Sequence, residues 1–256
     1  LFVVPLVWMV LSSLKTAPEV FARPFHWLPA KAQWQNYATV WMNEEASMLR
    51  AFANTLYIAL FSIVGQMFIS SLAAYSFAKI NFKGKQVVFM LFLSSMMVPS
   101  QLTIIPRFML FKTIGLYNNL WAIILPAFFG ATSIFMLRQF YMGLPNDLIE
   151  AAKIDGAGHL RIFLRIMLPL TKAALMSLII LAFISSWNEY MAPLIFLVKK
   201  ELYTVSQNIQ WYMLDEFKEH NLTMAAATSA IVPVVILFIV GQKYFVEGIA
   251  TSGVKG

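Results

Sequence analysis

Residues 51–78, 86–106, 113–137 and 220–242 each run without one Asp, Glu, Lys or Arg. The hydrocarbon core of a bilayer is roughly 30 Å thick and takes about 20 apolar residues as a helix, so each run is long enough to cross it. A fifth run, residues 173–188, reaches that length when extended through 167–171 and 190–198. Residues 1–14 are apolar but short, end at Lys15 and have no basic residue in front of them, unlike a signal peptide. They are expected to be the end of a first span whose start lies upstream. Six helical spans follow, with later ones at about 52–78, 86–106, 115–137, 167–190 and 222–242. Strand-period alternation is absent, and open sheet edges are not tolerated in lipid. Composition agrees: 60% of residues are hydrophobic and 12% charged, against about 25% charged in a soluble domain. The expected fold class is all-α integral membrane.

Six spans put both chain ends on one side. With that side cytoplasmic, the inner segments 79–85, 138–172 and 243–256 hold ten Lys/Arg and four Asp/Glu, and the outer ones nine and eight. The sharper signal is local, because Lys79, Lys83 and Lys85 crowd a seven-residue loop without an acidic residue, and short loops weigh most in orientation. The net charge of +7 is spread between apolar runs rather than gathered in a patch, which argues against nucleic acid. The chain has no cysteine, and His26, His159 and His220 are far apart. No disulfide, thiolate chemistry or metal centre is therefore expected. Pro5, Pro99, Pro126 and Pro233 fall inside apolar runs, where each removes a backbone hydrogen bond and either frames a pathway or shapes packing. The small residues at 70–74 and 225–227 favour close helix approach.

Residues 141–173 break the pattern, being too polar for lipid and too ordered for a passive loop. Pro145 can open a helix, with Asp147 favourably placed against its dipole. Leu148, Ala151, Ala152 and Asp155 then share a face by three- and four-residue spacing, and Gly156 is a natural left-handed stop. A second helix is expected from near Gly158, with an apolar stripe of Leu160, Phe163, Leu164 and Met167 beside Arg161 and Arg165. Pro169 marks the return to the membrane.

Glu150-Ala151-Ala152-Lys153-Ile154-Asp155-Gly156-Ala157, then Phe163, Ile166 and Leu168-Pro169-Leu170, resembles the EAA signature of ABC-importer permeases. It departs at Ala173, where many members carry a second proline, which affects the entry angle of the fifth span. Ser186-Trp187-Asn188-Glu189-Tyr190 and the ending Gln242-Lys243-Tyr244-Phe245-Val246-Glu247-Gly248, with Gly253-Val254-Lys255-Gly256, resemble the carbohydrate-importing branch. Within it the likeness is to the second permease subunit of maltose-type importers. The resemblance implies the type I permease fold, in a bacterial inner membrane with cytoplasmic termini. It divides the chain into a first span (1–14), an extracytoplasmic segment (15–50), a permease core (51–245) and a cytoplasmic tail (246–256). It implies that residues 145–168 form a cytoplasmic coupling helix–turn–helix docking into an ATP-binding subunit. That role falls on Glu150, Ala151, Ala152, Asp155, Gly156, Ala157 and Gly158, with Leu168 and Pro169. The implied partners are a second, usually different permease, two ATP-binding subunits holding ATP and Mg, and an extracytoplasmic solute-binding protein that delivers carbohydrate. The chain lacks a Gly-x-x-x-x-Gly-Lys-Ser/Thr phosphate loop, so it is expected to be a transport subunit, not an enzyme, with no catalytic residue and no cofactor of its own.

Gln66 and Gln101 interrupt apolar runs and either bond between helices or meet sugar hydroxyls. Asn188, Glu189 and Tyr190 follow a span; an aromatic belt with Trp187 competes with a place on the substrate pathway. The outer loop 199–224, with Trp211 and Tyr212, is either solvated or a contact for the binding protein. His159 reads as an exposed loop histidine. The rival functions are a permease for another solute such as glycerol phosphate, an ion-coupled secondary transporter, which would want buried ionisable residues and inverted repeats, and a membrane enzyme, which would want clustered acids, bases or ligands.

Overall fold

The computed structural model describes residues 2–214 and 219–253, and among these every regular element is a helix. α1 (Val4–Ser13) starts with Pro5 in its first turn and lies along the last helix of the chain. The outer segment holds α2 (Ala17–Val20) and α3 (Gln35–Met42). In α2 the Thr16 amide and hydroxyl both donate to Glu19 Oε2 at 2.8 Å, and the Ala30 amide donates to Oε1 at 3.3 Å. The Thr16 bonds, backbone first, hold the Glu19 carboxyl below its ordinary value of 4.5. A carboxyl lowered by folding stabilises above its unfolded pKa, and that contribution disappears as pH falls through the folded one. Glu19 is close to solvent, so the effect is small. Trp27 lines one pocket with Glu19, so its emission, followed with the other tryptophans replaced, should shift below about pH 4.5, and Glu19→Gln should abolish the shift.

α4 (Met48–Lys79) is the axis of the molecule, an unbroken helix of 32 residues and so about 48 Å long. Ser47 caps its start by accepting from the Arg50 amide, and Lys79 lies in its last turn. Its inward stripe of Ala51, Thr55, Ala59, Ser62, Ser70, Ser71 and Ala74 is small and buried, so neighbouring helices pack closely. Leu56, Leu60, Val64 and Phe68 face outward, as they would toward lipid.

Three of the other spans are interrupted. α5 (Lys85–Ser95) and α6 (Ser100–Thr113) meet at a 93° bend, where the sequence alone suggests one helix over 86–106. Pro99 takes an extended ψ of 131° at the start of α6, and Ser95 Oγ bonds back to the Phe92 carbonyl at 2.6 Å. α7 (Trp121–Ala127) and α8 (Ala131–Gly143) form the next span. It begins later than the 115–137 expected because Gly115 and Asn118 take positive φ, turning residues 114–120 into a connector. Between α7 and α8, Phe128 packs where Gly65 of α4 has no side chain, and a Cβ at Gly130 would strike Gln66.

α9 (Asp147–Ile154) and α10 (His159–Ile162) form the polar helix–turn–helix. A π-turn (Phe163–Met167) and α11 (Leu168–Leu170) lead from it to α12 (Lys172–Trp187) through a 76° bend at Thr171, so the fifth span is shorter than the 167–190 expected. α13 (Met191–Phe196) and α14 (Val205–Leu214) follow. α15 (His220–Gly253) contains Pro233 and remains helical across most of the stretch expected as a tail. Residues 254–256 of that tail lie outside the described residues, as do residues 215–218 of the 199–224 loop. Ala225 and Ala226 are fully buried, as their size requires.

Segment 15–50 and α14 pack on each other. Asn208 donates to the Ala46 carbonyl at 2.9 Å, as does the Tyr212 hydroxyl at 3.1 Å. Tyr212 is thus a core residue, not a loop contact. Trp187 is likewise core and not an interfacial belt: it is buried, stacks on Phe183 and donates to the Ala230 carbonyl at 3.0 Å.

Candidate functional site

Two regions gather the residues singled out from sequence. The first is the α9–α10 projection beyond the Lys79 end of α4. Pro145 lies just outside α9, Asn146 is its N-cap and Asp147 its first residue. Lys79 Nζ donates to the Leu144 carbonyl and to Asn146 Oδ1, both at 2.7 Å, pinning the start of α9 to the end of α4. The helix stops at Gly156, whose φ is +77°. The Gly156 amide donates to the Lys153 carbonyl at 3.0 Å and the Ala157 amide to the Ala152 carbonyl at 2.9 Å. These two bonds make a Schellman motif, which ends a helix sharply and satisfies its last carbonyls. Gly158 then caps α10.

The faces of α9 divide differently from the sequence expectation. Ala152 does not share an outward face with Leu148 and Ala151; it is buried with Ile149 against Tyr75, Tyr141, Ile162, Phe163 and Met167. The outward face is Leu148, Ala151, Ile154 and Asp155, with Ile154 87% exposed. Glu150, Gly156 and Gly158 are also exposed, Ala157 and Leu168 are half-buried, and Pro169 is exposed at the start of α11. Of the expected α10 stripe, Phe163 and Met167 are buried whereas Leu160 and Leu164 face out. His159 is exposed but not idle, since its Nδ1 meets the Tyr75 hydroxyl at 3.1 Å. Tyr75 also packs against Phe163 and Tyr141, with ring centroids 5.4 and 6.1 Å apart. The projection is therefore seated on α4 by an aromatic cluster and two polar ties.

The second region is a cavity of about 390 Å³ between α4, α6, α7 and the α12–α13 junction. Ser62, Gln66, Ser100, Gln101, Ser185, Ser186, Arg107 and Glu189 supply its polar lining, with Ile63, Ile104 and Pro126 among the apolar part. Three of the five pathway candidates converge here: Gln66, Gln101 and Glu189. Gln66 also donates to Ser133 Oγ at 3.1 Å, so it bonds between helices and lines the cavity at once. Asn188 and Tyr190 are not in the lining, and Asn188 Nδ2 is spent on the Ile184 carbonyl at 2.8 Å. Arg107, Ser62, Ser100 and Ser185 carried no expectation from sequence, and Ser186 entered only as part of the 186–190 motif. The available signal was Pro99 and Pro106 within one apolar run followed directly by Arg107, which foretells a broken segment carrying a charge inward. Among the described residues no group of three or more His, Asp or Glu could hold a metal.

Comparison with known proteins bears on both regions. Residues 66–251 match the sequence model of the family described as "Binding-protein-dependent transport system inner membrane component". The arabinooligosaccharides transport system permease protein AraQ of Bacillus subtilis is 34% identical over 258 residues, covering 100% of this chain and 92% of its own. The sn-glycerol-3-phosphate transport system permease protein UgpE of Yersinia pestis is 30% identical over 240 residues, covering 91% and 85%. One chain of the crystal structure of a bacterial ABC transporter involved in the import of the acidic polysaccharide alginate superposes with a TM-score of 0.85. It is 24% identical, and the match covers 95% of this chain and 91% of that one; the two share a fold.

Proposed function

This chain belongs to the family of binding-protein-dependent transport system inner membrane components, and from that premise we propose that it is the permease subunit of an ATP-driven importer for oligosaccharide. It contributes half of a translocation pathway, and a second permease completes it. ATP and Mg are handled by two ATP-binding subunits docked on α9, and a solute-binding protein loads the opposite end. In this reading the Lys79 end of the bundle faces the cytoplasm of a bacterial cell, in keeping with Lys79, Lys83 and Lys85 in one short loop.

The observation that carries the reading is that a single helix serves both regions. α4 seats the α9–α10 projection through Tyr75 and lines the cavity with Ser62 and Gln66. Along a helix, Tyr75 and Gln66 are separated by about 13 Å, so displacement of the projection reaches the cavity without crossing a flexible joint. Swinging a two-state equilibrium from 1:99 to 99:1 takes about 5.5 kcal/mol of differential binding, which closure of the ATP-binding subunits supplies. Saccharide is favoured over glycerol phosphate by the lining: serine hydroxyls and glutamine amides suit sugar hydroxyls, and one arginine offset by one glutamate is a poor match for a phosphate dianion.

The test is uptake in vesicles containing all partner subunits. Labelled arabinooligosaccharide should accumulate only with internal ATP and external binding protein. Uptake driven by an ion gradient without ATP would overturn the importer reading, and ATP-driven uptake of glycerol 3-phosphate in place of saccharide would overturn the substrate.

A further inference from the structure

Arg107 and Glu189 line the same cavity from different elements, and among the described residues neither has its hydrogen-bonding capacity filled. Arg107 on α6 is half-buried, and its Nε is shielded from solvent with no acceptor. No carbonyl or carboxylate among the described residues takes a hydrogen bond from its guanidinium; the Phe196 ring lies 4.9 Å from Cζ. Glu189, between α12 and α13, is fixed by the Ala192 amide on Oε1 at 3.0 Å, and Oε2 has no partner among the described residues. The two side chains share one lining yet form no ion pair within 4.0 Å.

A guanidinium carries five donors and no acceptor, an ionised carboxylate only acceptors, and a hydroxyl does both. Buried polar groups in proteins are almost always hydrogen-bonded, to protein, water or ligand, and Arg107, in the cavity lining with its Nε unpaired, is placed to donate to an acceptor on a molecule in the cavity. Neighbouring sugar hydroxyls fit the gap: one accepts from Arg107, and the same or the next donates to Glu189. Ser62, Gln66, Ser100 and Gln101 extend the set with neutral donors and acceptors. The fixed charges cancel. A carboxylate or phosphate on the ligand would gain Arg107 but face Glu189 in a site where charges are weakly screened, the repulsive half of specificity.

We propose that Arg107 and Glu189 form a diol clamp that admits neutral saccharides and rejects anionic ones, and that they are the specificity-determining residues of this half of the pathway. The inference rests on the saccharide reading above. Because the chain has no cysteine, Ser185→Cys places a unique thiol of this subunit in the cavity lining. Its labelling by a maleimide can be followed in the assembled transporter without binding protein or ATP. Arabinotriose at saturation should slow labelling about fivefold or more, while trigalacturonate should leave it nearly unchanged. Glu189→Gln should let trigalacturonate protect the thiol. Arg107→Gln should raise the arabinotriose concentration for half-protection about tenfold or more, as for loss of a charged hydrogen bond, with Arg107→Lys intermediate because it keeps the charge without the fork. Equal rejection of trigalacturonate by parent and Glu189→Gln overturns the clamp, as does unchanged arabinotriose protection in Arg107→Gln. Absence of protection with ATP-driven saccharide uptake intact removes the clamp alone, whereas absence of both removes the saccharide reading with it.

Discussion

Replacing Gly156 by proline should leave the chain inserted in the membrane and reduce ATP-driven uptake about 100-fold. Gly156 holds φ at +77°, whereas the proline ring locks φ near −65°. Its amide also donates to the Lys153 carbonyl at 3.0 Å, and proline has no such donor. The two losses together cost about 3 kcal/mol or more, equivalent to about 100-fold in the population that keeps the α9–α10 angle. No heavy atom lies within 4 Å of a Cβ built at Gly156, so the effect is conformational and not a clash. Gly156→Ala should therefore be graded, near tenfold, from about 1–2 kcal/mol of left-handed strain. ATP hydrolysis and uptake measured together in vesicles give the readout, with membrane insertion checked by protease accessibility. Uptake within twofold of the parent for Gly156→Pro would refute the coupling role.

Ile154→Asp should weaken assembly with the ATP-binding subunits about 30-fold while the permease remains folded. Ile154 is 87% exposed at the end of α9, and no described residue covers it. Buried apolar anchors at interfaces contribute about 2 kcal/mol or more when removed, which corresponds to about 30-fold in affinity. Ile149, on the same helix, is the control. It is buried beneath α9 with Ala152 and Phe163, so Ile149→Asp should destabilise the fold itself by leaving a charge in the core. Titrating purified ATP-binding subunits onto the two variants, with thermal unfolding alongside, separates the faces. If Ile154→Asp binds as the parent does, the exposed side of α9 is not the docking face.

The apolar runs disclosed the bundle because lipid leaves few alternatives: backbone must pair internally, and length decides the rest. What they could not disclose was where helices break. Pro99 and Pro126 were visible, but proline in a membrane helix either kinks or simply caps, and the outcome depends on neighbours. At Pro99 the chain turns by 93°, whereas Pro233 remains inside α15. Gly156 was legible because a left-handed stop needs glycine whatever surrounds it. Ala152 was misplaced because alanine suits either face of a helix, and only the packing of Tyr75 and Phe163 decides. Arg107 was missed for a related reason. Read linearly it marks the end of an apolar run; folded, the bend brings it into the cavity.

The unbroken course of α4 sets an angular as well as a linear relation between its two ends. Gln66 and Tyr75 stand about two and a half turns apart, so the direction in which one points fixes the direction of the other. One residue inserted between them would rotate the cavity side by about 100° against the α9–α10 contact, and a full turn would restore the phase but lengthen the rod by about 5 Å. The interval behaves as a ruler with a built-in compass: substitutions within it change friction or fit, but a change of length misaims the whole machine.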